Sequence, residues 1–140
     1  VCESVPLPNT AHPPFAGRRT EGFSQMAFIG LPPKLTHDQF AYNWRTIQTS
    51  IAVETQDTFE YRQNLVVRPL TYGAPPFVGI VEECFPMAAF NDEAVYYDAV
   101  NDPVREEENK RRMFEACAQF MDFSRIDVIQ TSQFELKSLA

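Results

Sequence analysis

Few side chains in this chain of 140 residues have the type and setting to move a proton or grip a ligand. Foremost is Glu82, inside the apolar run Phe77–Phe85 (FVGIVEECF). A carboxylate on a central strand among apolar neighbours loses hydration, which raises its pKa and suits it to general base or acid work. The competing role for Glu82 is an ion pair with Arg62 or Arg68, or exposure at the strand end. Next come Tyr61 and Gln63, two residues apart in Thr58–Arg68 (TFEYRQNLVVR) and therefore on one face of a strand. Gln63 shares that face with Phe59, Leu65 and Val67, so its amide needs partners: a backbone group, or a ligand in a cavity. Tyr61 with Gln63 would hold a polar substituent on an aromatic ligand, or form a buried polar pair that fixes strand register.

Other chemistries find no support. His12, His37, Cys2, Cys84 and Cys117 show no metal-ligand spacing, and there is no glycine-rich phosphate loop or nucleophile elbow. Neither a metal nor a cofactor is expected. His37 reads as an exposed first-turn residue, and would ligate haem only if the helix start faced a cleft. Tyr96 and Tyr97 fit a surface or a pocket rim equally well.

Charge excludes further classes. The net charge is −7, from 12 basic against 19 acidic residues, and the basic groups are scattered. Nucleic-acid binding needs a positive face. Lys110-Arg111-Arg112 follows Glu106-Glu107-Glu108, an order that complements a helix dipole and permits i,i+4 ion pairs. No apolar run is long enough to span a bilayer. The three cysteines are an odd number without disulfide-like spacing, and Val1-Cys2-Glu3 does not open a signal peptide, so a cytoplasmic location is expected.

The elements that position these residues follow from pattern. Residues 1–22, with Pro6, Pro8, Pro13 and Pro14, read as an extended arm without a core of its own, loose or laid across a partner. Phe23–Gly30 is a buried strand. Thr36 and Gln39 form a capping box, and Phe40, Trp44, Ile47 and Ile51 make one apolar stripe on a helix of about four turns. Strands follow at Thr58–Arg68 and Phe77–Phe85, separated by a proline-rich loop. A short helix begins at Asn91-Asp92. Asp102-Pro103 starts a longer one, reaching about Met121 and burying Val104, Phe114, Cys117 and Met121 or Phe120. Ile126–Thr131 is the last strand, with a polar tail over 133–140.

This order predicts one α+β domain over 23–132 of ferredoxin-like βαββαβ type: a four-stranded antiparallel sheet with both helices on one face. Apolar residues on the second face predict a homodimer paired through it.

Five short motifs in order resemble the EthD family of the dimeric α+β barrel superfamily. They are Leu35, Thr36, Gln39 and Phe40 at the helix start; Trp44 within it; Tyr61, Gln63 and Asn64; Gly79, Ile80 and Glu82; and the closing helix and strand. The resemblance covers 23–132. It implies a cleft between helix and sheet for a small hydrophobic, oxygenated or aromatic molecule, bound by Asn43, Trp44, Gln48, Tyr61, Gln63 and Asn64. Where the family pattern has two histidines, this chain has Asn43 and Gln48, and Ser50 stands in place of a proline. An amide cannot act as a general base, so catalysis falls to Glu82. The implied activity is a cofactor-independent lyase, dehydratase, cyclase or isomerase. The alternative is a non-catalytic dimeric binding or accessory protein of a catabolic or biosynthetic pathway.

Overall fold

The computed structural model describes residues 1–137. Its main sheet has five antiparallel strands in the order β1 (Cys2–Leu7), β4 (Glu60–Leu65), β5 (Phe77–Phe85), β3 (Phe23–Gly30) and β6 (Ile126–Thr131). A two-stranded ladder joins β2 (Arg18–Arg19) to β7 (Phe134–Glu135). Between β3 and β4 run α1 (His37–Asn43), a π-helical turn (Trp44–Gln48) and α2 (Thr49–Thr55). Between β5 and β6 lie a 3₁₀ turn (Met87–Phe90), α3 (Glu93–Tyr96) and α4 (Pro103–Cys117).

Strands β3 to β6 with their helical crossovers make the βαββαβ unit, in the ferredoxin-like order β4-β5-β3-β6. The helices pack on one face, where Phe40, Trp44, Ala52, Cys117 and Phe120 meet Ala27, Ile29, Tyr61 and Val81. The expected sheet of four strands is corrected to five. The proline-rich arm is not loose at its start: Cys2–Leu7 adds an edge strand to β4, with Ser4 opposite Gln63, and so satisfies β4's otherwise unpaired backbone groups. Phe134 and Glu135, expected within a polar tail, pair with the arm instead, and 138–140 lie outside the described residues.

Local chemistry explains the element starts. Thr36 accepts from the Gln39 N–H at 3.2 Å while Gln39 Oε1 accepts from the Thr36 N–H at 2.9 Å, the reciprocal capping box. Asp102 caps α4 by accepting from the Arg105 N–H at 3.0 Å, with Pro103 in the first turn. Helix α4 departs from expectation in what it buries. Val104 is 78% exposed and Phe114 61%, whereas Phe120, beyond the helix end, is fully buried. Phe114 stacks on Phe123 at 5.1 Å, a pairing between two largely exposed rings that periodicity within one helix cannot reveal.

The first helix carries the change that matters most for the site. The apolar stripe predicts Ile47 and Ile51 facing inward after Trp44. Instead the buried positions are Phe40, Trp44, Gln48, Ala52 and Thr55. The Thr49 N–H bonds the Trp44 carbonyl, five residues back, which widens the helix by one residue and rotates its later face. The Thr49 hydroxyl donates to the same carbonyl at 3.1 Å and accepts from Gln63 Nε2 at 2.9 Å, tying the wide turn to β4. The rotation takes Ile47 off the core and brings in the Gln48 amide.

Candidate functional site

A cavity of about 330 Å³ lies between the helices and the sheet. Its floor is the inward face of the strands, where Gln25 and Ala27 of β3 lie opposite Glu83 and Val81 of β5, and Tyr61 of β4 lies opposite Glu83. The helical side is Trp44 and Gln48, with Met113 and Cys117 of α4. Tyr96 and Tyr97 of the α3 segment also line it, as do Phe114, Phe120 and Phe123. Helix and sheet approach closely because Gly79 has no side chain: a Cβ there would meet Trp44 Cζ3 at 2.7 Å and Phe40 Cζ at 2.9 Å.

The carboxylate in this cleft is Glu83. It is only 4% exposed, Oε1 has no hydrogen-bond partner among the described residues, and burial pushes its pKa up to about 7 against a small opposing effect of the Gln25 amide. A carboxyl poised there can both take and return a proton near neutral pH. Around it, Tyr96 Oη accepts from Gln25 Nε2 and from Gln56 Nε2, each at 2.9 Å. Burial, and then the nearby Glu83 carboxylate, raise the Tyr96 hydroxyl above its ordinary pKa, and the same two causes push the Cys117 thiol up to about 12. Neither is a ready anion; Glu83 is the group that titrates.

The cleft's other polar groups are held in place. Trp44 Nε1 donates to Tyr61 Oη at 3.0 Å, and burial raises the Tyr61 pKa. Gln48 is 3% exposed; its Nε2 faces Met113 Sδ at 3.3 Å and its Oε1 has no partner among the described residues. Lys110 reaches the cleft's rim, where its ammonium binds Glu93 at 2.7 Å and Glu106 at 2.5 Å over the Tyr97 ring.

Of the residues singled out in the sequence, Trp44, Gln48 and Tyr61 line this cleft. Gln63 faces the helices but is engaged with Thr49 and accepts from Ser4 Oγ at 3.3 Å. Asn43 is turned aside, donating to the Gln119 carbonyl at 2.9 Å. Asn64 and Glu82 are on the opposite face of the sheet. There Glu82 accepts from Ser24 Oγ at 2.9 Å and Gln133 Nε2 at 3.2 Å, and lies 3.7 Å from Arg62 Nε. The expectation that Glu82 faces the cleft is therefore corrected: the strand pleat gives that place to Glu83. The ion pair with Arg62 is the contact found, and Arg62 also binds Glu60 at 2.6 Å and Glu3 at 2.9 Å. His37 is exposed and lies beside an open groove with Phe28, Val66 and Ile80, away from the cleft.

Residues missed by sequence reasoning are Glu83, Gln25, Gln56 and Met113; Tyr96 and Tyr97, left between a surface and a pocket rim, line the cleft. Parity along β5 was the available signal. Val81 and Phe85 are the large apolar residues that share Glu83's face, whereas Glu82 shares its own with Ile80 and Cys84, so the pattern alone is ambiguous.

No protein-family model matches the chain, and no curated protein matches it. Among solved structures it is similar to a dimeric ferredoxin-like protein of unknown function from Thermobifida fusca, with a TM-score of 0.53 and 13% identity, over 87% of this chain and 98% of that one. No described helix is long and apolar enough to cross a membrane. The likeness, at that identity, is one of fold: this chain is a ferredoxin-like α+β domain.

Proposed function

We propose that the protein is a cofactor-independent enzyme of lyase, dehydratase, cyclase or isomerase type, acting on a small hydrophobic, oxygenated or aromatic molecule in the helix–sheet cleft. One observation carries the reading: a buried Glu83 with a pKa near 7 faces an aromatic-lined cavity with one oxygen unpartnered. Buried carboxylates normally find a partner, and perturbed ones cluster at functional sites. In this reading Glu83 takes a proton from the substrate and returns it at a second position, Gln48 orients a polar substituent, and Trp44 and Tyr61 form an apolar wall that excludes water. Membership of the EthD family belongs to the same proposal.

Self-association through the open sheet face completes it. Phe28 lies opposite Ile80, and Met26 opposite Ile129, on the face away from the helices. Ile129 is 51% exposed, the similar solved protein is dimeric, and a second copy would cover this apolar strip. A second reading, a binding protein without turnover, is favoured by Gln48, whose amide cannot gain or lose a proton near neutral pH as a histidine would.

Proton transfer can be tested without knowing the substrate. Incubation in D₂O with 2-tetralone, resorcinol and 1,3-dihydroxynaphthalene, followed by proton NMR, reads exchange of acidic C–H groups. Exchange faster than buffer with at least one probe, lost in Glu83→Gln, supports the enzyme. Exchange at the buffer rate with all three contradicts it and leaves the binding reading.

A further inference from the structure

The cleft's unpartnered atoms are all of one kind, and this deepens the reading above, on which it rests. Among the described residues the buried side-chain nitrogen and oxygen atoms without a partner are Gln48 Oε1, Gln56 Oε1, Glu83 Oε1 and Arg62 Nε. The first three are acceptors on residues that line the cleft; the last lies on the other face of the sheet. The amide nitrogens of both glutamines are already engaged, Gln48 Nε2 with Met113 Sδ at 3.3 Å and Gln56 Nε2 with Tyr96 Oη at 2.9 Å. Turning the Gln48 amide over would set its oxygen against the sulfur's lone pairs, so its oxygen is the atom left without a partner. Gln48 comes from the helical side and Glu83 from the sheet floor, so the two acceptors approach a ligand from different directions.

We infer that the cleft recognises an aromatic molecule carrying at least two hydroxyl groups, which donate to Gln48 Oε1 and Glu83. The rings of Trp44, Tyr61 and Phe120 match the apolar skeleton by stacking and edge contacts. A site built to receive donors rejects the analogue that lacks them, because its buried acceptors then stay unpaired and face a second set of lone pairs. Phenols are therefore preferred over their ethers, and over quinones or ketones that offer acceptors alone.

The test is isothermal titration of the full chain at pH 8, where Glu83 is the carboxylate, with 2,7-dihydroxynaphthalene, 2,7-dimethoxynaphthalene and naphthalene. The diol is expected to bind at least tenfold more tightly than the diether. Gln48→Leu should weaken the diol about tenfold and leave naphthalene unaffected, with thermal melting confirming that the variant is folded. Equal affinity for diol and diether in the unmodified protein overturns the inference and leaves an aromatic-binding cleft standing. That comparison decides even where the variant fails to fold. Absence of binding by all three, naphthalene included, overturns the cleft reading itself.

Discussion

Glu82 and Glu83 are consecutive in β5 and serve opposite faces of the sheet, one in a polar network and the other in an apolar cleft. Glu82 has Ser24, Gln133 and Arg62 within reach. Glu83 shares its cleft with rings, a thiol and amides, and has no salt-bridge partner among the described residues. Two identical side chains therefore have different chemistry through the pleat of the strand alone.

Glu83 should make stability fall as pH rises. Its folded-state pKa is raised from the ordinary 4.5 to about 7, so between these values the folded protein holds a proton that the unfolded chain has released. Stability from this group is complete below pH 4.5 and is lost as pH passes 7, by about 3 kcal/mol in all. Denaturant melts of the parent and Glu83→Gln at pH 5 and pH 8 check this: the parent should lose more stability than the variant. Parallel losses would contradict the assignment.

Gly79→Ala should destabilise by about 1–3 kcal/mol, because its methyl group would press on Trp44 and Phe40 inside a packed core. Trp44 is the chain's one tryptophan, so its fluorescence reports the displacement directly. An unchanged emission maximum and melting midpoint would show that the helix stands farther from the sheet.

Thr49→Val should cost about 1–3 kcal/mol in denaturant melts, since it strands the Gln63 amide as a buried donor and removes the hydroxyl from the π-helical turn. If that turn places Gln48, ligand affinity should fall with it. A stable variant with unchanged affinity would separate the turn from the site.

Ile80→Lys tests self-association. It sets a charge on the apolar strip of the open sheet face opposite Phe28, so light scattering should show a dimer for the parent and a monomer for the variant, with melting behaviour within about 1 kcal/mol. A parent that is monomeric at micromolar concentration would remove the dimer from the account.

The scaffold was legible because its signals are local. Thr36 with Gln39 and Asp102 with Pro103 announce helix starts through atoms a few residues apart, and Phe77–Phe85 and Ile126–Thr131 carry their strand pattern in their own side chains. The fifth strand was not legible, because Cys2–Leu7 is a strand only by virtue of an edge about sixty residues away. The site was legible in part. Trp44 and Tyr61 follow from their elements, but Gln48 lies at the margin of the stripe that Ile47 and Ile51 define, and the π-helical turn rotates it inward in place of Ile47, which the periodicity of an unbroken helix does not show. Glu83 was missed because β5 is apolar on both faces, which removes the alternation that would tell inward from outward.

The central claim, that Glu83 is the proton-carrying group of a ligand cleft, is tested most directly by carbon-13 NMR titration of the glutamate carboxyls. One resonance should titrate near pH 7, be missing in Glu83→Gln, and shift when 2,7-dihydroxynaphthalene is added. Titration of every glutamate below pH 5, or a near-neutral resonance that persists in Glu83→Gln, would contradict it.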